Sequence, residues 1–205
     1  MTSQEKKQLQ ILACKVRMGI IESTHAAKCG HPGGSMSATE MFTYLYNKEL
    51  NVDPKNPGWA DRDRFVLSKG HCAPGLYAAL AHRGFFPVED LLTLRKVGSY
   101  LQGHPNMNTV PGVDMSTGSL GQGISTACGM ALASKIKKQS NRVYTLLGDG
   151  EIQEGQVWEA CMLANHYKLD NLCVIVDNNN LQIDGTIEEV ILHIYYISFP
   201  IVNHI

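Results

Sequence analysis

Residues 143 to 180 constrain the fold more than any other stretch. "VYTLL" and "LCVIV" are continuous apolar runs, and "GQVWEACMLANHYK" between them carries helical spacing. A strand, a helix and a strand within about 30 residues form a βαβ unit, whose strands are parallel and whose crossover is right-handed. Strands that are apolar at every position are buried on both faces, so helices must cover the sheet from both sides. The expected fold class is therefore α/β, an open parallel sheet with helices on both faces.

The rest of the chain supplies those helices. Thr2 and Glu5 have capping-box spacing, and Leu9, Leu12, Val16 and Ile20 follow at helical intervals towards a stop near Gly30. "CGHPGGSMS" is expected to be a loop, and Ser37 and Glu40 a second capping box that opens the helix "ATEMFTYLYNKEL". "NVDPKNPGWAD" connects to a short buried strand, "RFVLSKGH", which ends in a Lys-Gly-His turn. Pro74 sits near the first turn of another helix, where its missing N–H costs nothing. A charged helix near Val88 to Lys96, a long loop over residues 98 to 117, and a helix opened by "GSLGQG" complete the pattern.

Ligands of open α/β sheets bind beyond the carboxyl ends of the strands. In this unit the two ends read "GDGE" and "DNNN", which places Asp149 and Asn179 together if the strands are neighbours. A carboxylate and an amide oxygen form a hard, oxygen-only donor pair that suits Mg²⁺ or Ca²⁺ and not zinc. Two protein oxygens leave an octahedral shell incomplete, and a backbone carbonyl just after Asn179 with the oxygens of a phosphate group would fill it. Gly148 and Gly150 allow close backbone approach, and the following helix points its N-terminus at an anion. Asx and Gly also favour turns for conformational reasons alone; the matched pair of strand ends makes the ligand reading the stronger one.

Three of the eight histidines, His31, His71 and His104, lie in Gly/Pro-flanked loops: "CGHPGG", "SKGHCAPG" and "QGHPNM". A histidine held in a rigid turn can donate hydrogen bonds or shuttle protons near neutral pH. One such histidine would be an ordinary loop residue; three in the same context suggest catalysis. His25 and His166 fall in helical patterns and His82 near a helix end, and all three are expected to pack or to lie on the surface.

Net charge is −1 over 205 residues, with no basic block, so neither nucleic acid nor an acidic membrane is implied as a partner. No apolar run reaches the roughly 20 residues of a membrane span, and the polar N-terminus has no secretion-signal core. The six cysteines lack metal-ligand spacing, and five have apolar or small neighbours. They are expected to be buried free thiols in a reducing cytoplasm.

"GDGEIQEG" followed by "DNNNLQIDG" resembles the thiamine diphosphate motif. With "GHPGGSMS", "SKGH", "QGHP" and "GSLGQG", in that order from about Gln10 to Val190, the chain resembles the N-terminal, diphosphate-binding half of transketolase (the thiamin diphosphate-binding fold, PP domain). The resemblance implies transfer of a two-carbon ketol unit between sugar phosphates, in a cytoplasmic dimer of the pentose phosphate pathway. It implies Asp149, Asn179 and the Leu181 carbonyl as ligands of Mg²⁺ (or Ca²⁺), and a Gly150 N–H presented to the diphosphate. It assigns His71 to the diphosphate and reacting carbons, and His31 and His104 to the hydroxyls of the donor sugar. Gly118 and Leu120 would line the aminopyrimidine ring and Ile183 would pack on the cofactor. Glu154 would link two active sites at a subunit interface; as an isolated residue it is equally an acid placed favourably at a helix start.

Two departures accompany the resemblance. The family's activating glutamate belongs to a pyrimidine-binding domain that is absent from these residues. Activity therefore implies a homo- or hetero-oligomer in which a C-terminal, pyrimidine-binding transketolase subunit takes part. Residues 191–205, "ILHIYYISFPIVNHI", hold ten apolar residues and no Asp, Glu, Lys or Arg, where the family continues with charged segments and further strands. The expectation is a domain over residues 1–190, lacking its last elements, followed by an aberrant apolar tail with the character of an aggregation-prone strand. The alternatives are a non-catalytic truncated fragment, or another thiamine diphosphate enzyme such as one resembling deoxyxylulose-phosphate synthase. "QGHP" and "SKGH" favour transketolase over the latter.

Overall fold

The computed structural model describes residues 1–191, so the expected tail lies, apart from Ile191, outside the described residues. Three strands, β1 (Arg64–Leu67), β2 (Val143–Gly148) and β3 (Leu172–Asp177), form a parallel sheet in the order β1-β2-β3. The register aligns Leu67 with Leu146 and Gly148 with Asp177. β2 is central and buried throughout. Its side chains alternate between two cores, as the strand period of two requires: Tyr144 and Leu146 face one, Val143 and Leu147 the other.

The first core lies under α1 (Ser3–Ala27), α3 (Thr39–Tyr44) and α4 (Ala73–Arg83), with Ile20, Phe42, Leu76 and Tyr77 at its centre. The second lies under α5 (Gln122–Ile136) and α6 (Gly155–His166), through Ile124, Ala127, Ala131, Val157 and Ala160. Both faces are thus covered, as the apolar strands demand. The Thr2–Glu5 capping box is formed, and α1 ends on Lys28 in the left-handed region at φ 57°. Pro74 opens α4 and Gly84 closes it at φ 99°, the conformation glycine adopts most readily.

Three expectations are corrected. "PGGSMS" is a helix, α2 (Pro32–Ser37), not a loop. Proline at its first turn starts it, and Gly34 lets it press against the turn just before α4, since a Cβ there would meet Cys72 Sγ at 2.7 Å. The second capping box does not form, because Ser37 is already helical and its hydroxyl donates to Asp177 Oδ1 at 2.8 Å instead. The charged segment after Phe86 is a 3₁₀ helix, Val88–Thr93.

The thiols need correction as well. All six cysteines are free, and Cys72 and Cys128 are buried, but Cys173 is half-buried and Cys14, Cys29 and Cys161 are exposed. Small neighbours in sequence did not mean burial: Cys14 lies within α1 and Cys161 within α6, and each has only one stripe of its helix in the core. Among the described residues no helix is long and apolar enough to cross a membrane. A short antiparallel hairpin, β4 (Leu181–Gln182) with β5 (Gly185–Thr186), and α7 (Ile187–Val190) complete the described elements.

Candidate functional site

The parallel register of β2 and β3, which aligns Gly148 with Asp177, leaves the two strands ending side by side, and the residues that follow each end line the same cleft. Asp149 follows β2 directly and donates its backbone N–H to the Asp177 carbonyl at 3.2 Å. The residue is only 2% exposed. Oδ1 accepts the Gly150 N–H at 2.9 Å and Oδ2 the Asn180 N–H at 2.5 Å. Asn180 takes a left-handed conformation, φ 62°, which an Asx residue tolerates. Beside it the Asn179 side-chain oxygen accepts the Leu181 N–H at 2.9 Å, an Asx turn. The two turns singled out in the sequence are thus joined by direct hydrogen bonds across the strand ends.

A cavity of about 1150 Å³ opens over this edge. Asp149, Gly150, Asn179, Leu181 and Ile183 line it together with His31, His71, Gly118 and Leu120, and Glu154 is also in the lining. His31 is the N-cap of α2 and His71 sits in a 3₁₀ turn, Gly70–Cys72, after β1. Their rings meet edge to face, centroids 5.2 Å apart. Ile183 stands at the rim, 92% exposed, on the β4–β5 hairpin. Glu154 is the N-cap of α6, exposed, with no side-chain cap bond, and its stem lies over Gly121, where a Cβ would sit 2.9 Å from it.

His104 is placed differently from the other two histidines. It lines a neighbouring cleft of about 650 Å³ with Arg95, Gln102, Asn106 and Ser116. Its ring backs onto Gly118, whose Cβ would lie 3.1 Å from His104 Cδ2, so it stands at the wall between the two clefts. Burial, aided by Arg95 and His31, lowers its pKa. Burial also pushes the His71 imidazole down to about 4, with Lys69, His31 and His104 adding to the effect. His71 is therefore a neutral ring at physiological pH.

Three buried polar residues carry no motif signal: Lys69 and Glu151, which line the cleft, and Asp177 beside them. Lys69 Nζ lies 2.6 Å from Asp177 Oδ2, both nearly sealed from solvent. Glu151 accepts the Ser68 hydroxyl at 2.6 Å and the Gly121 N–H at 2.9 Å through Oε1, and the Gly148 N–H at 3.0 Å through Oε2. Burial raises its pKa against these bonds. The one signal in the sequence was a charged residue at or just after the end of each of the three apolar strands, at positions that otherwise pass for motif spacing.

The donor set suits a hard cation. Each Asp149 oxygen accepts one N–H and retains a further lone pair, as does the Asn179 oxygen. Among the described residues no group of three or more His, Cys, Asp or Glu could hold a metal. A cation here would need oxygens from a backbone carbonyl and from an anionic ligand, which fits Mg²⁺ or Ca²⁺ at a phosphate.

The sequence profile of transketolase, thiamine diphosphate binding domain, matches residues 8–195. This chain belongs to that family. Among similar proteins, a 6-deoxy-6-sulfo-D-fructose transketolase subunit of Clostridium sp. (strain MSTE9) is 48% identical over 188 residues, covering 92% of this chain and 68% of the relative. One of the subunits of the apulose-4-phosphate transketolase of Phocaeicola vulgatus is 47% identical over 182 residues, 89% of this chain and 64% of its own length. The solved transketolase from Leishmania mexicana superposes with a TM-score of 0.86 at 34% identity, over 92% of this chain and 30% of that one. The chain thus spans about two thirds of the subunit relatives and under a third of the Leishmania transketolase. Its cleft of about 1150 Å³ is on the scale of small-molecule sites.

Proposed function

We propose that this chain is the diphosphate-binding half of a transketolase, which transfers a two-carbon ketol unit between sugar phosphates when a pyrimidine-binding partner chain completes the site. The observation that carries this reading is the pairing of Asp149 and Asn179 at adjacent strand ends, on the wall of the cleft that His31 and His71 also line. Asp149, Asn179 and the Leu181 carbonyl would hold Mg²⁺ (or Ca²⁺). The cation is required because the buried Asp149 carboxylate would otherwise repel a diphosphate. Gly150 would offer its N–H by sharing the bond it makes to Asp149. Gly118 and Leu120 would flank the ring of the cofactor, and Ile183 at the rim would be covered by it.

Thiamine diphosphate supplies the electron sink for carbon–carbon bond chemistry when bound. This chain's residues orient it, exclude water and move protons. A neutral His71 can accept or donate one hydrogen bond at each ring nitrogen, which suits proton transfer at the sugar hydroxyls together with His31. His104, behind Gly118, would join them from the adjoining cleft. Groups placed in this way contribute typically about 10²–10⁴-fold in rate. Two relatives are named as subunits, which supports a partner chain, and Glu154 at the cleft edge would lie at that contact.

Asp149→Ala tests the assignment. The reading expects calorimetry to find no metal-dependent thiamine diphosphate binding in a variant that still folds. Undiminished binding by that variant would remove Asp149 from the site.

A further inference from the structure

The Lys69–Asp177 ion pair has no role in the motif reading, yet every bond it makes goes to an element that shapes the cleft. Lys69 follows β1 and Asp177 ends β3, so the pair spans the end of β2 between them. Asp177 also accepts the Ser37 hydroxyl at 2.8 Å, and Lys69 approaches the Gly34 carbonyl at 3.4 Å, both on α2, whose N-cap is His31. Lys69 lies two residues before His71, and Asp177 two before Asn179. A buried ion pair adds little net stability, since desolvation offsets most of the attraction, and apolar residues of like volume would serve the fold as well. A role in holding geometry explains its position better than a role in stability.

We propose that Lys69 is a positioning residue, whose ion pair with Asp177 fixes the segment that carries His71, the segment that carries Asn179 and helix α2 with His31 at its N-cap relative to one another. The inference rests on the cofactor reading above and adds a residue to it. The same ammonium acts on His71: after burial it is the foremost charge lowering the imidazole pKa, and His31 and His104 are the other titratable groups acting on that ring.

The test uses Lys69→Met in the full chain, alongside the double variant Lys69→Met/Asp177→Asn, which leaves no unpaired buried charge should the single variant fail to fold. His71 is titrated by NMR in histidine-labelled protein without ligand, and thiamine diphosphate affinity is measured with Mg²⁺ by calorimetry. The His71 midpoint should rise from about 4, and affinity should fall about 10- to 100-fold, the usual effect of losing a group that orients a binding set. A folded variant that keeps the wild-type value of either overturns the proposal. The titration needs no bound cofactor, so an unchanged His71 midpoint overturns the positioning role while leaving the cofactor reading standing, and a loss of metal-dependent binding in Asp149→Ala tests the cofactor reading separately.

Discussion

The Asp149 carboxylate, at the end of β2, accepts the backbone N–H of Asn180, just beyond β3, at 2.5 Å. This bond turns two separate sequence motifs into one site. It holds the loop that carries Asn179 against the loop that carries Asp149, and each oxygen keeps capacity for a cation. Position and chemistry therefore come from the same contact.

Glu151 should be nearly as important to the local structure as Asp149. Its two oxygens accept three bonds and tie the ends of β1 and β2 to the turn before α5. In Glu151→Gln an amide NH₂ replaces one acceptor and faces a donor, leaving a buried group unpaired at about 1–3 kcal/mol. Urea denaturation should show that loss, with an unchanged dependence on urea concentration.

Close packing of α5 on β1 gives a second stability prediction. A Cβ at Gly123 would lie 2.6 Å from the Ser68 Cα, a contact with backbone that no rotamer can relieve. Gly123→Ala, although it favours helix locally, should therefore destabilise by about 1–3 kcal/mol through overpacking. Thermal unfolding checks it; a stabilised variant would mean that the two elements separate easily.

His71 sets the pH behaviour. Its pKa is about 4 in the folded chain, below the ordinary histidine value of about 6.5 in the unfolded one. The unfolded state thus binds the proton first as pH falls. The contribution of His71 to stability is fully present above about pH 6.5 and is lost progressively towards pH 4. His71→Phe should flatten the stability profile across that window in parallel urea titrations.

Much of this was legible in the sequence, and for physical reasons. Continuous apolar strands dictate a sheet covered on both faces, and a βαβ spacing dictates that residues 149 and 179 meet. Periodicity could not show that two glycines in "PGGSMS" would be helical, because that helix forms through packing of Gly34 on Cys72. Nor could it separate Ser37 as a cap from Ser37 as a donor to Asp177, 140 residues away. The ion pair of Lys69 depends on the same long-range register and has no local signature. The flanking residues of His104 are like those of His31 and His71, yet the fold sets it in the adjoining cleft.

Thiamine diphosphate binding by the full chain with Mg²⁺, with Ca²⁺ and with chelator tests whether Asp149 and Asn179 hold a cation-bridged diphosphate. Binding with either cation that disappears when the cation is removed is the predicted result. Equal affinity in the presence of chelator would contradict the account.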